Sequence, residues 1–255
     1  MAFCRTGFAG IKGMIRSRVG VVGMMLGCGT GVAVAIIFAG GIRADTAKQG
    51  STPAHKDSPV QPDSSQPKWT ALFNGQNLDG WTIFPAQSSD APKVWSFREG
   101  VLICGGSPVG YIRTIKDFTN FELELEWRFD PKLGAGNSGV LLRVVVPDQV
   151  WPKSIEAQLE SRSAGDIWNI GEFPMHAEPS RTDGRHTTKL NPTNEKPLGE
   201  WNKYAILLDH GRLELRVNGE LQNVAQDCEV VAGKIGLQSE GAHIEFRNMR
   251  IRTLP

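Results

Sequence analysis

The segment FELELEWRF, from Phe121 to Phe129, alternates apolar and charged residues without interruption. Successive side chains of a β-strand point to opposite faces, so this segment would place all its apolar residues on one face and all its charged residues on the other. The pattern predicts a long strand with one face against a core and one face towards solvent.

Other segments show related patterns. Residues 213–217 (LELRV) alternate and run into Asn218-Gly219, the dipeptide typical of a two-residue hairpin turn, and residues 244–251 (IEFRNMRI) alternate again. Residues 139–146 (GVLLRVVV) are continuously apolar except for one arginine, which favours a central strand. No window after residue 67 has the repeat of an amphipathic helix. The sequence therefore predicts an all-β, two-sheet jelly-roll β-sandwich.

The N-terminal segment has the order of an export signal. Several basic residues precede an uncharged apolar run over residues 19–42, which Arg43 and Ala44 follow. We predict an apolar helix that serves as a signal peptide (residues 1–44) or, because the run could span a bilayer, as a membrane anchor. Either alternative exports the rest of the chain to the periplasm, the cell surface or the medium, with membrane contact only through this segment.

Residues 45–67 contain no aromatic residue and only one aliphatic residue beyond alanine. Such a segment cannot bury enough apolar surface to offset the entropy of ordering, so we predict a disordered linker before a domain at residues 68–255. The net charge of +1 gives no field that would attract nucleic acid. Cys104 and Cys228 either pair in the oxidising compartment or stay as buried thiols, and their spacing does not decide between these alternatives.

A set of motifs is spread in order over residues 69–254: WTALFNGQNLDGW (69–81), EGVL (99–102), FELELEWR, NSGVLLR (137–143), IEAQLE (155–160), GEWNKY (199–204), VNG (217–219), GLQSEG (236–241) and IEFRNMRI. This ordered set resembles the 3-keto-disaccharide hydrolase domain family. The resemblance implies a concanavalin A-like sandwich, export, and action on glycosides oxidised at carbon 3 of the sugar. A sugar 3-oxidoreductase would then act upstream. One departure is Ser239-Glu240, where many family members have Asp-His.

The segment IEAQLE is the candidate catalytic strand. On a strand, Glu156, Gln158 and Glu160 would form one outward row. This row resembles the Glu-x-Asp-x-Glu strand of laminarinase-type glucanases, but Gln158 in the middle cannot supply an ionised partner, which argues against ordinary retaining hydrolysis. The alternative is the exposed polar face of an edge strand.

A ketone at carbon 3 acidifies the hydrogen on carbon 2, which makes β-elimination of the group on carbon 1 accessible. We expect Glu156 to act as base or to bind a divalent metal ion, and Glu160 or His176 to donate the proton. Arg143 would stabilise the enolate and Gln158 would orient a hydroxyl group. No His or Cys spacing indicates a metal site, so the metal remains open. The alternatives for Arg143 and His176 are a surface ion pair and a solvent-exposed histidine.

Four further residues are candidates for substrate binding. Asn137 lies where the chain would bend before a strand, and a turn role is the alternative. Trp168 could stack on a sugar ring or anchor a loop. Gln238 and Glu240 share a face opposite Leu237, at a pocket rim or at a strand end.

Three functions follow from these patterns. The first is an enzyme that cleaves 3-keto-glycosides by elimination and hydration, with net hydrolysis. The second is a non-catalytic, lectin-like sugar-binding module, because the same architecture carries both kinds of function. The third is an ordinary endoglucanase of the laminarinase type.

Overall fold

The computed structural model describes residues 67–84 and 94–255. The predicted N-terminal apolar helix and the predicted linker before residue 67 lie outside these residues and stay predictions. Within the described residues, no helix is long and apolar enough to cross a membrane.

The first sheet has nine strands, all paired antiparallel. It is built along the order β10-β15-β14-β13-β6-β17-β4-β3, with β1 paired to β17. Its strands are β1 (Thr70–Ala71), β3 (Trp95–Arg98), β4 (Val101–Cys104), β6 (Phe121–Phe129), β10 (His176–Ala177), β13 (Asn202–Asp209), β14 (Arg212–Val217), β15 (Glu220–Gln226) and β17 (Ile244–Thr253).

The second sheet has eight antiparallel strands in the order β11-β12-β9-β8-β7-β16-β5-β2. They are β2 (Trp81–Phe84), β5 (Gly110–Thr114), β7 (Gly139–Val144), β8 (Ser154–Gln158), β9 (Ile167–Ile170), β11 (Thr182–Asp183), β12 (His186–Thr187) and β16 (Lys234–Ser239). A 3₁₀ turn at Pro179–Arg181 precedes β11. Because the chain alternates between the sheets, most sheet neighbours are distant in sequence.

The two sheets pack face to face around one main core, which confirms the predicted all-β sandwich. The apolar residues of β6 are buried, and the charged residues between them are only partly buried. From the second sheet, Leu142, Ile155 and Ala157 pack into the same core. The period-two pattern therefore correctly indicated which residues of β6 face inwards.

Two predicted local features are confirmed. Asn218 and Gly219, with φ of 49° and 87°, form the turn between β14 and β15. Both values lie in the left-handed region, which a two-residue Asn-Gly hairpin turn requires at both of its positions. Strand β7 lies between β8 and β16, away from the sheet edges, as predicted for a central strand.

Cys104 and Cys228 are both buried as free thiols, which is the second of the two alternatives given for them.

The prediction for Arg143 is wrong. Arg143 has a φ of 50°, and the β7–β16 register shifts beside it. This bulge breaks the alternation, so Leu142 packs in the main core while Val144 packs on the opposite face. The Arg143 side chain is fully buried and donates hydrogen bonds to the backbone carbonyls of Thr119, Glu229 and His210. Its guanidinium group is committed to these loops and cannot stabilise an enolate.

Candidate active site

A pocket lies on the face of the eight-stranded sheet that points away from the main core, which we call the open face. A small apolar cluster forms part of this face, with Tyr111, Leu141, Val144 and Ile170 buried in it. The pocket has a volume of about 160 Å³ and is lined by Asn137, Trp151, Glu156, Gln158, Glu160, Trp168, Ile170, Arg185 and Glu240. Six of the residues predicted for the site therefore line one cavity.

Glu156 occupies the middle of β8. It pairs with Leu141 of β7 on one side and with Trp168 of β9 on the other. Because Ile155 and Ala157 point into the main core, the carboxyl group of Glu156 points to the open face. Only 5% of the residue is exposed. The strand thus places an almost fully buried carboxyl group in the wall of the pocket.

Gln158 and Glu160 differ from the regular row that the sequence predicts. Strand β8 ends at Gln158, whose Oε1 accepts hydrogen bonds from the backbone N–H groups of Leu159 and Glu160, at 2.8 and 2.9 Å. Glu160 therefore lies in the turn after the strand, where it is exposed but still lines the pocket. Since Oε1 is used by the backbone, only Nε2 of Gln158 is free to contact a substrate.

Burial and like charge shift the acid groups of the pocket. Burial, followed by the charge of the nearby Glu240 carboxylate, raises the pKa of Glu156 from its ordinary 4.5 to about 8. Burial, followed by the charge of Glu160, also raises the pKa of Glu240. A hydrogen bond from the Gln238 side chain opposes the shift of Glu156, and Arg185, the one cation among the described residues of the lining, opposes both shifts. At neutral pH the carboxyl group of Glu156 can thus hold a proton.

One wall of the pocket is made by Trp168 and its neighbours. The ring of His186 stacks on the Trp168 indole at 4.3 Å between centroids and 10° between planes. Nε2 of His186 lies 2.8 Å from Oδ2 of the buried Asp166, which fixes the imidazole. The side chain of Arg185 lies over the same indole, 5.4 Å from its centroid. The indole is therefore packed against these two side chains, and it lines the pocket, where an aromatic ring can contact a sugar.

Sequence reasoning missed Trp151, Ile170 and Arg185. Trp151 lies in the loop between β7 and β8, and Arg185 lies in the turn between β11 and β12 beside Gly184. Neither position belongs to an alternating segment, so periodicity carries no signal for them. The available signal is composition, because all three residues lie between residues 146 and 197, where Pro, Gly, Asn and Asp are frequent.

Two amide side chains near the pocket have buried atoms without hydrogen-bond partners. Asn137 lines the pocket, and its Oδ1 is buried and unpaired; Gln238 is 2% exposed, and both its Oε1 and its Nε2 are unpaired. Buried polar atoms are normally satisfied. The Asn137 oxygen is therefore available to a ligand, and the Gln238 carboxamide is available to a polar group beside it.

His176 does not join the site. It lies on β10 at the edge of the nine-stranded sheet, where it pairs with Gln226. Its side chain is 80% exposed, and its Nδ1 lies 3.1 Å from Oδ2 of Asp227. The predicted role of proton donor does not fit this position, because the loop that carries His176 crosses to the other sheet.

The residues of the pocket do not form a metal-ligand set. In residues 67–84 and 94–255, no three or more His, Cys, Asp or Glu side chains converge so as to hold a metal ion. Glu156, Glu160 and Glu240 line the same cavity without meeting at one point. Among the described residues, the geometry therefore favours the role of base over that of metal ligand for Glu156.

A larger cleft of about 660 Å³ lies on the nine-stranded sheet next to Trp69. Its acidic residues are already paired, because Glu124 contacts Lys203 and Arg250, and Glu126 contacts Arg247. Exposed ion pairs of this kind leave no unpaired acid or base for chemistry. The smaller pocket on the open face is therefore the better candidate.

The fold and the pocket together define a jelly-roll domain with several carboxyl groups around one cavity, as in enzymes that cleave glycosides. The chain belongs to the family of 3-keto-alpha-glucoside-1,2-lyase-like domains, whose model matches residues 68–252. This confirms the family predicted from the motifs. The match supports a carbohydrate-acting hydrolase as the broad class of the protein.

Individual relatives agree with this assignment. A 3-keto-disaccharide hydrolase from Bacteroides thetaiotaomicron is 24% identical over 233 residues, covering 73% of this chain and 78% of the relative. The structure of a proposed glycosyl hydrolase from Parabacteroides distasonis has a TM-score of 0.54 at 25% identity, covering 73% of this chain and all of that one (100%). A Bacillus licheniformis β-glucanase has a TM-score of 0.52 at 13% identity, covering 75% and 100%, and shows the fold alone.

Proposed function

We propose that the domain cleaves 3-keto-glycosides by removing the proton on carbon 2, eliminating the group on carbon 1 and adding water. The observation that carries this proposal is the pocket carboxyl group of Glu156, whose pKa is raised to about 8. A base with a pKa near the working pH is the kind that general-base catalysis requires. Family membership and the name of the Bacteroides relative support the 3-keto substrate.

In the first step, ionised Glu156 takes the proton from carbon 2. The electron pair of the broken C–H bond moves towards carbon 3, and negative charge develops on the ketone oxygen. Arg185 takes the role first predicted for Arg143, because it is the cation of the lining and can stabilise this enolate oxygen. Nε2 of Gln158 supplies a further hydrogen-bond donor beside it.

In the second step, the enolate collapses, the bond between carbon 1 and the aglycone oxygen breaks, and that oxygen takes a proton. Glu240 is better suited as the donor than His176, because it lines the pocket and its pKa is raised by burial, which favours the protonated form. Glu160, the other residue predicted for this role, is more exposed. Water then adds its hydroxyl group to carbon 1 and a proton to carbon 2, which completes the net hydrolysis.

The size of the pocket fits one ring of the substrate. At about 160 Å³ it is smaller than the roughly 300–1,000 Å³ of sites for drug-sized ligands. Trp168 forms one wall, and Trp151, which is partly exposed, lies at the same cavity. We expect the oxidised ring to lie inside and the aglycone to extend towards solvent.

The test is turnover of a 3-keto-glucoside with deuterium at carbon 2. Elimination predicts a normal primary isotope effect, and Glu156→Gln should lower kcat by about 10²–10⁴-fold because the general base is lost. The control is Glu220→Gln, an exposed carboxylate on β15, which should leave kcat unchanged. An isotope effect of unity together with full activity of Glu156→Gln would refute the mechanism.

Two other outcomes would assign a different function. Saturable binding of plain oligosaccharides without any product from 3-keto substrates would indicate a lectin-like module. Release of reducing sugar from unoxidised glucan would indicate an endoglucanase.

The cellular setting is also part of the proposal. We propose that the chain is exported, on the basis of the basic and apolar segments in residues 1–44, and that residues 19–42 either anchor it or are removed. An enzyme that oxidises carbon 3 of the glycoside must supply its substrate. Fractionation of cells that express the full chain would test the location.

A further inference from the structure

We infer that Gln238 is a positioning residue for Glu156, whose carboxyl group it reaches across β7 in the space left by Gly139. Only the expected effect on catalysis rests on the proposed function. The contact itself joins Glu156 and Gln238, two side chains from strands that are not neighbours in the sheet.

Glu156 is on β8 and Gln238 is on β16, and β7 runs between these strands. Strands are about 4.8 Å apart, so side chains on β8 and β16 are normally separated by about 9–10 Å and by the side chain of the middle strand. Here the middle strand has Gly139. A methyl group built on Gly139 would lie 2.4 Å from Oε1 of Glu156 and 2.4 Å from Oε1 of Gln238. Both polar groups therefore share the space above one glycine.

The neighbours of Gln238 cannot satisfy its carboxamide. Tyr111 of β5 lies opposite Gln238, but its hydroxyl group donates a hydrogen bond to Oδ1 of Asp148 at 2.8 Å. Ser138 donates to the backbone carbonyl of Gln238 and not to its side chain. Across the described part of the chain, neither side-chain atom of Gln238 has a partner with full hydrogen-bond geometry, but its side chain is close enough to Glu156 for a hydrogen bond that lowers the pKa of that carboxyl group. The carboxyl group of Glu156 is the polar group that shares the space above Gly139 with this carboxamide.

A carboxamide suits an acid that must change its protonation state. Its Nε2 can donate to the carboxylate, and its Oε1 can accept from the protonated acid. The bond to the ionised form is the stronger of the two, because it is charge-assisted. The pair therefore favours the ionised form and opposes the effect of burial. Gln238 would act through Glu156 and would not need to touch the substrate.

Other groups also face Glu156 and must stay constant in a test. The charged ones are Glu160 after β8, Glu240 after β16 and Arg185 before β12. The facing residues of the flanking strands, Leu141 and Trp168, are uncharged.

The test is a ¹³C NMR titration of the glutamate side-chain carboxyl groups in the ligand-free protein, with the Glu156 signal identified from its loss in Glu156→Gln. We expect Gln238→Met to raise the pKa of Glu156 by about one unit, the equivalent of one hydrogen bond to a charged group. Gly139→Ala, whose methyl group forces the two side chains apart, should shift this pKa in the same direction. Gln222→Met is the matched control, because Gln222 is a buried glutamine with an unpaired Oε1 on the other sheet.

Kinetics provide the second readout. At pH 7, Gln238→Met should lower kcat about tenfold on a 3-keto-glucoside, with KM unchanged, because more of the base is protonated. An unchanged pKa in both Gln238→Met and Gly139→Ala would overturn the inference. A raised KM with an unchanged pKa would also overturn it, and would instead place Gln238 against a substrate hydroxyl group. If no variant or wild-type protein turns over the substrate, the proposed function fails, while the NMR result still decides the pairing.

Discussion

Replacing Glu156 with glutamine should make the domain more stable at high pH. In the folded state the pKa of Glu156 is about 8, against 4.5 for an ordinary glutamate. Between these values the folded protein keeps a proton that the unfolded chain has lost. The folded state therefore binds more protons, and the free energy of unfolding falls as the pH rises through this window. Glutamine is neutral at every pH, so the variant does not lose free energy of unfolding in this window.

The size of the effect follows from the difference of about 3.5 pH units. Each pH unit corresponds to about 1.4 kcal/mol. The free energy of unfolding of the wild-type protein therefore falls by up to about 5 kcal/mol between pH 4.5 and 8 because of Glu156, and structural relaxation would reduce this value. Below pH 4.5 the wild-type protein and Glu156→Gln should agree to within about 1 kcal/mol, since both side chains are neutral and similar in size. At pH 9 the variant should be more stable by about 3–5 kcal/mol.

Urea unfolding followed by tryptophan fluorescence at a series of pH values would measure this difference. Glu220→Gln, on the exposed part of β15, is the control, and its difference from wild type should not depend on pH. If the curves of Glu156→Gln and wild type ran parallel from pH 4.5 to 9, Glu156 would not have a raised pKa. The reasoning about the base would then be wrong. A positive result would show that the catalytic group lowers the stability of the fold that holds it.

Three further outcomes can be measured. Arg143→Leu should lower the free energy of unfolding by about 3 kcal/mol or more, because the backbone carbonyls that it satisfies would stay buried and unpaired; a loss below about 1 kcal/mol in urea unfolding would contradict this role. The kcat/KM of the wild-type enzyme should rise with pH and level off above about 8, because the ionised form of Glu156 is the base; a fall between pH 6 and 8 would contradict the assignment. Arg185→Met should lower kcat by about 10²-fold with unfolding unchanged, and a change in KM alone would exclude enolate stabilisation.

The sequence alone determined several of the strands and which of their side chains point inwards. The alternation in β6 identified its buried side, and Asn218-Gly219 identified a hairpin, because both depend on the local geometry of the chain. The same reasoning placed Glu156 and Gln158 on one outward face of β8. Period two is a property of every extended strand, so it can be read without knowing what the strand packs against.

Only the tertiary structure decided which residues surround each side chain and therefore which role it can have. The bulge at Arg143 reversed a side chain that alternation pointed outwards, and it depends on the register with β16. Arg185 and Glu240 join Glu156 from distant parts of the chain, through loops without periodicity. The raised pKa of Glu156 likewise comes from burial and from these neighbours. Local patterns fix the direction of a side chain, whereas its surroundings depend on the order of strands and the paths of loops.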